Sequence, residues 1–359
     1  MSAKRKAIVV AGMHRSGTSA LTRVVNLLGA DLAHHLIPAG IGNELGHWES
    51  RAAQDVHNEM LAELQSDIYS PVNFPDAWFD SAAAKIWIDR IEALVRQEYS
   101  ASDLFVLKDP RLSLFVPLWV AAFGRLGIDP RFVIPFRSPM AVAASLEVRE
   151  HHLRSGHVLP LGQGVAVWLR YMLAAERHTR GQRRSFVSFD RLLADWRGEM
   201  ARIGQQLDIS WPRAGAADLD IDRFLDSDHR DIVSVASADG RVRISNLVSG
   251  VHEDLEQAVG DPEARSVSFD AAARTIAAAE ELFGAYALVK ESELAKLRQE
   301  LAGAHRLFDR EIRARDSMIT EATAYARSLE QSRDEALRYA RAQETRANEL
   351  DRVLGTSRQ

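Results

Sequence analysis

The chain has 359 residues, 46% of them hydrophobic and 26% charged, which fits an ordinary folded protein rather than a disordered, collagenous or membrane-embedded one. Its formal net charge of −5 argues against whole-protein attraction to nucleic acid or anionic lipid, so any affinity for phosphate must come from a local site. Cysteine is absent, which excludes disulfides, thiolate nucleophiles and thiolate metal sites and fits a cytoplasmic location, and no apolar run approaches the ~20 residues that cross a bilayer.

After the basic start Lys4-Arg5-Lys6, the run Ala7 to Ala11 reads as a short strand closed by Gly12. Leu21, Val24, Val25 and Leu28 then recur at helical spacing, so the chain opens as strand, tight loop, helix. Residues 30–75 are richer in Gly, Pro, His and Asn and are expected to form loops and short helices facing a substrate. Strand-like runs follow at Leu104 to Leu107, Arg131 to Pro135 and Phe186 to Phe189, with amphipathic helices expected at 113–124, 139–153, 163–179 and 190–206. This alternation predicts an α/β fold with a parallel sheet flanked by helices. The pattern weakens over 210–265, where Pro212, several Asp residues and Asp239-Gly240 mark turns, and helical periodicity returns at 268–288.

From Leu294 the spacing becomes heptad-like, with Leu294, Leu301, Phe308, Ala322, Leu329, Ala336 and Leu350 in one register and Leu297, Ala304, Met318, Tyr325, Tyr339 and Val353 in the other. Glu311, Arg315, Gln343 and Arg346 interrupt the seam. A catalytic domain at 1–290 is therefore expected to carry a helical tail at 291–359, either a long helix or a coiled coil that pairs the chain as a homodimer.

The segment Gly12-Met13-His14-Arg15-Ser16-Gly17-Thr18-Ser19 lies between the first strand and the first helix. A loop there aims backbone N–H groups and the positive end of a helix dipole at a phosphate. The two glycines have the Walker spacing, but Thr18 stands where a nucleoside triphosphatase has Lys, and Arg15, Ser16, Thr18 and Ser19 supply the polar groups instead. No G-x-G-x-x-G dinucleotide fingerprint occurs.

This loop resembles the 5′-phosphosulfate-binding loop of the sulfotransferases that use 3′-phosphoadenosine 5′-phosphosulfate, in the Arg-Ser-Gly-Thr form of many bacterial members. Phe136-Arg137-Ser138-Pro139-Met140-Ala141-Val142-Ala143-Ala144-Ser145 resembles the second signature of that family, an Arg and a Ser eight positions apart. The resemblance implies a P-loop-like sulfotransferase fold and a donor site in which His14, Arg15, Ser16, Gly17, Thr18 and Ser19 surround the 5′-phosphosulfate. Arg137 and Ser145 would then hold the 3′-phosphate. It implies transfer of a sulfuryl group without a metal, to a hydroxyl of a saccharide, glycolipid or small metabolite.

Three further patches bear on the chemistry. Asn43-Glu44-Leu45-Gly46-His47-Trp48-Glu49-Ser50 is similar to the stretch of the bacterial enzymes in which a Glu deprotonates the acceptor, which makes Glu49 the candidate base with Glu44 and His47 in reserve; Glu49 as a cap for the following helix is the structural alternative. Leu107-Lys108-Asp109-Pro110-Arg111 is similar to a Lys-Asp-Pro-Arg element of the same subgroup. Lys108 is there the candidate to neutralise the sulfuryl group or orient the acceptor, Asp109 to fix Lys108 or Arg15, and Arg111 to share either role. Asp190, after the last strand, is expected to cap the next helix. The Gly-x-x-Gly-x-x-Lys element that completes the adenosine site of eukaryotic cytosolic members is missing, and Leu225 to Arg230 matches the late region of the bacterial enzymes only weakly. His34-His35 and His151-His152 do not converge as a metal site. A small-molecule or sugar kinase and a non-catalytic nucleotide-binding scaffold remain as alternative readings.

Overall fold

A computed structural model describes residues 4–40, 45–153, 159–228 and 245–356. The chain divides into two compact units, Met1–Ala287 and Leu288–Gln359. The first is an α/β unit built on a four-stranded sheet, β1 (Lys6–Val10), β2 (Leu104–Lys108), β3 (Asp129–Phe136) and β4 (Arg183–Ser188), in the order β2-β1-β3-β4 with every pairing parallel. Val10 is in register with Lys108 on one side and Val133 on the other, so the ends of β1 and β2 and the middle of β3 lie side by side.

The strands read as unbroken apolar runs because both faces are covered, and the two-residue period of the side chains sorts them into separate cores. Ile8, Val10, Val106, Val133 and Val187 pack with α1 (Thr18–Leu27), α7 (Phe189–Ala194), α8 (Trp196–Leu207) and α9 (Asp218–Asp228). Ala7, Val9, Phe105, Leu107, Phe132, Ile134, Phe136 and Phe186 belong to the larger core. That core includes residues of α2 (Arg51–Glu63), α3 (Ala82–Tyr99), α4 (Leu112–Leu126), α5 (Pro139–Leu153), α6 (Leu161–His178), α10 (Asn246–Ala258) and the start of α11 (Ser266–Thr356).

Local chemistry sets several boundaries. Ser50 and Ser81 accept hydrogen bonds from Ala53 N and Ala84 N, capping α2 and α3, and Gly127 ends α4 at φ 67°. The stretch expected as one helix at 190–206 is two, because Asp195 leaves helical geometry at φ −151° and caps α8 by accepting from Gly198 N. Asp190 is not a cap: the residue preceding α7 is Ser188 and Asp190 lies exposed in the first turn. The expected loop-rich segment contains the thirteen-residue α2, and the helix expected at 268–288 continues without a break through residue 290 as α11. Asp239 and Gly240 fall outside the described residues, as does Glu44. Among the described residues, no helix is long and apolar enough to cross a membrane.

Candidate active site

The strand order reverses direction at β1: the chain passes outward to β2 and then crosses back to β3 on the far side of β1. In open parallel sheets the crevice beyond the strand C-termini at such a switch point is where ligands collect. The glycine loop leaves β1 at this place and the Arg137 segment leaves β3 beside it.

Two glycines are required by the space around them. A Cβ on Gly12 would lie 2.7 Å from the carbonyl oxygen of Pro135, so only glycine lets the loop depart so close to β3. Gly17 has φ +81°, and a Cβ there would lie 2.1 Å from the Phe189 ring. Arg15 also adopts positive φ, at 66°, a conformation uncommon for a residue with a Cβ. No side chain caps the start of α1, and no acidic residue occupies its first turn, so the positive end of the helix is not neutralised by its own sequence.

The structure brings most of the sequence-predicted residues into two linked groups. In the first, Arg15 Nε donates to Ser145 Oγ at 2.8 Å, joining the loop after β1 to the helix after β3. Arg137 stands with its guanidinium carbon 5.5 Å from the centre of the Phe189 ring, the ring that fills the space beside Gly17. The Arg137 backbone carbonyl accepts from Trp168 Nε1 at 3.2 Å. Ser16 is fully buried, and its Oγ has no hydrogen-bond partner among the described residues. His14 is also buried, between the rings of Tyr69 and Tyr171, with Nε2 lacking a partner there. Burial, reinforced by Arg149 and Arg111, holds the His14 imidazole well below its ordinary pKa.

The second group surrounds Lys108 at the end of β2. Its Nζ donates to Ser19 Oγ at 3.0 Å, to the His47 carbonyl at 3.2 Å and to Glu49 Oε1. Lys108 and Glu49 form an ion pair with only 3% and 5% of their surfaces exposed. Burial pushes the Glu49 carboxyl above its ordinary pKa while Lys108 opposes that shift. The His47 ring is half-buried, and burial together with Lys108, Arg149 and Arg15 lowers its pKa to about 4, leaving it a neutral imidazole near pH 7. Glu49 does not cap α2; Ser50 does. The Trp48 ring is covered on one side by the Arg23 guanidinium, 4.5 Å from the ring centre.

Asp109 fixes neither Lys108 nor Arg15. Its carboxylate accepts from Arg111 Nη1 at 3.0 Å on both oxygens and from Arg111 N at 2.8 Å. Behind it, Trp119 Nε1 donates to His57 Nε2 at 2.9 Å. Because the indole N–H only donates, His57 Nε2 must accept, which leaves the ring proton on Nδ1, 3.6 Å from Asp109 Oδ2. Burial works against the Asp109 charge, but Arg111 and His57 outweigh it and hold the carboxyl well below the usual range.

Sequence reasoning missed Phe189 as the packing partner of Gly17 and Arg137, and it missed His57 and Trp119 behind Asp109. Their only local signal is burial-prone residue type; the contacts span 62 residues for His57 and Trp119 and come from the order of the strands. Arg149, on α5 beside the site, donates to Glu150 and to the Tyr69 hydroxyl, and the weakly matched Arg230 lies outside the described residues. Among the described residues, no group of three or more His, Asp or Glu side chains is placed to hold a metal ion.

The site has the makings of an anion-binding centre: an uncapped helix start, a loop whose Ser16 hydroxyl is buried without a partner among the described residues, Arg15 in that loop, Arg137 at the end of the neighbouring strand, and a buried carboxylate–ammonium pair at its side. Among solved structures, the sulfotransferase STF1 from Mycobacterium tuberculosis H37Rv matches with 18% identity and a TM-score of 0.37, over 61% of this chain and 71% of that one. The sulfotransferase domain of the Synechococcus PCC 7002 olefin synthase matches with 19% identity and a TM-score of 0.34, over 77% of this chain and 97% of that one. No protein-family model and no curated protein matches the chain.

Proposed function

We propose that the chain is a sulfotransferase that moves a sulfuryl group from 3′-phosphoadenosine 5′-phosphosulfate to an acceptor hydroxyl on a saccharide, glycolipid or small metabolite. The observation that carries this reading is the Arg15–Ser145 hydrogen bond, because it unites the two sequence motifs that resemble the halves of one donor site. The residues present fit such a donor. Among the described residues Ser16 Oγ is a buried polar atom without a partner, and Gly12 and Gly17 let the loop turn from β1 into α1 in space that Pro135 and Phe189 would deny to a side chain.

In this reading the loop N–H groups and Arg15 hold the 5′-phosphosulfate, and Arg137 with Ser145 holds the 3′-phosphate. Ser145 can do this without releasing Arg15, since its oxygen accepts from the guanidinium while its own proton stays available to a phosphate. When bound, the donor supplies an activated sulfuryl group whose S–O bond to the phosphate breaks as the acceptor oxygen bonds to sulfur. Arg15 stays charged at working pH and can make paired contacts to the departing phosphate. Glu49 takes the acceptor proton, its burial making it a stronger base than an exposed carboxylate. Lys108 holds Glu49 ionised and offers positive charge next to Ser19 of the loop.

The test is release of 3′-phosphoadenosine 5′-phosphate from the sulfated donor in the presence of hydroxyl acceptors, with ethylenediaminetetraacetate present and with ATP and magnesium as the parallel arm. Acceptor-stimulated release without magnesium supports the proposal. Phosphate transfer from ATP would replace it with the kinase reading, and nucleotide binding without any turnover across the acceptor classes would favour a scaffold.

A further inference from the structure

The second unit consists of α11 from Leu288 onward, and its side chains identify what should cover it. Positions seven apart starting at Leu294 are the a positions of a heptad, and those starting at Leu297 are the d positions. These apolar groups stand in solvent: Phe308 is 62% exposed, Met318 69%, Tyr325 67% and Leu350 57%. With a rise of about 1.5 Å per residue the stripe from Leu294 to Leu350 is about 84 Å long. An exposed apolar stripe of that length, broken only at a few polar positions, is an interaction surface.

We propose that the occupant is a second copy of this chain, wound with it as a parallel, in-register, two-stranded coiled coil. The flanking charges choose the direction. Glu300, Glu321, Glu335 and Glu349 all occupy g positions, whereas the e positions His305, Ile312, Ile319, Ala326, Arg333, Ala340 and Ala347 contain no acid. In a parallel pair each g position faces the e position of the next heptad on the other helix, which sets Glu300 against His305, Leu307 against Ile312 and Ser328 against Arg333. No acid then faces an acid. An antiparallel pair sets g against g and, at full overlap, brings Glu300 onto Glu349 at both ends of the stripe.

The interruptions of the seam choose the register. Glu311 at d and Arg315 at a are bonded within the helix, Arg315 Nη2 donating to Glu311 Oε1 at 3.1 Å. In register, this pair meets its own copy and the layer of four charges is neutral. A slip of one heptad would place Arg315 against Phe308 or Ala322, burying its charge on an apolar partner. Polar seam residues fix register in this way at a cost in stability. Two strands rather than three suit Arg315 and Gln343, since a dimer leaves long polar side chains at a positions a path to water.

The cysteine-free sequence makes the test direct, because any introduced thiol is the only one among its 359 residues. Light scattering of the unmodified protein should give twice the 40.0 kDa chain mass. Leu294→Cys and Leu350→Cys, at opposite ends of the stripe, should each form a disulfide-linked dimer with itself under mild oxidation. Ser332→Cys, at a polar d position where no apolar packing is lost, should do the same and guards against disruption by the other two. A monomeric or trimeric mass overturns the proposal, as does cross-linking of positions 294 and 350 only with each other in a mixture.

Discussion

Arg15 Nε donates to Ser145 Oγ at 2.8 Å although 130 residues separate them, and the bond closes the gap between the ends of β1 and β3. Both residues belong to the proposed donor site, so each should be separable by the ligand it affects. Ser145→Ala removes one neutral hydroxyl and should weaken binding of 3′-phosphoadenosine 5′-phosphate about fivefold, in line with ~1 kcal/mol for such a bond. The same change should leave adenosine 5′-phosphosulfate, which lacks the 3′-phosphate, nearly unaffected. Equal weakening of both ligands in titration calorimetry would place Ser145 away from the 3′-phosphate.

Glu49 and Lys108 predict a particular acid limb. Proton transfer to Glu49 requires its ionised form, and burial raises its pKa, so kcat should climb with pH through a midpoint above the ordinary carboxylate value. Glu49→Gln should abolish that limb and lower kcat by roughly 10²–10⁴-fold. His47→Gln should keep the limb. If His47 were the base, the limb would fall at about pH 4 and survive in Glu49→Gln.

Lys108→Met and Glu49→Gln should each destabilise the fold, because either change leaves the other buried group without its charged partner, at a cost of about 3–5 kcal/mol. The double variant Lys108→Met/Glu49→Gln should lose clearly less than the sum of the two, since it leaves no unpaired charge. Denaturant midpoints measured at pH 7 check this; strictly additive losses would count against a tight buried pair.

Asp109→Asn tests the network behind the site. Its carboxyl is held well below its ordinary value by Arg111 and His57, so its stabilisation is fully present above the unfolded pKa of about 3.9 and is lost only as pH falls through the lower folded value. The penalty of the substitution, about 3–5 kcal/mol for a broken buried pair, should therefore be the same at pH 7 and pH 5. A penalty that shrinks between those two pH values would show that Asp109 is not held in that way.

The strands were readable from sequence because β-branched and aromatic runs survive on both faces of a covered parallel sheet, and Ala7 to Val10 and Phe186 to Ser188 are such runs. Helix α3 went unread, and α9 and α10 lie in the stretch whose pattern is weak; in all three, charged residues are interleaved with the apolar face. At the site, the glycine loop and Arg137 stood out since each sits next to a strand end. The Glu49–Lys108 pairing did not, even though both residues were singled out, because which charges meet depends on how the loop before α2 lies over the end of β2. Phe189 shows the same limit: nothing in its neighbours reveals that its ring excludes a Cβ at Gly17.

Titration calorimetry of 3′-phosphoadenosine 5′-phosphate beside ADP and ATP, with and without magnesium, tests most directly whether this crevice holds a 3′-phosphorylated adenine nucleotide. The wild type should prefer the 3′-phosphorylated ligand without needing magnesium, and Arg137→Ala should lose about 10–100-fold of that affinity, as expected for a bond to a charged group. Magnesium-dependent preference for ATP, or an Arg137→Ala variant that still discriminates for the 3′-phosphate, would contradict it.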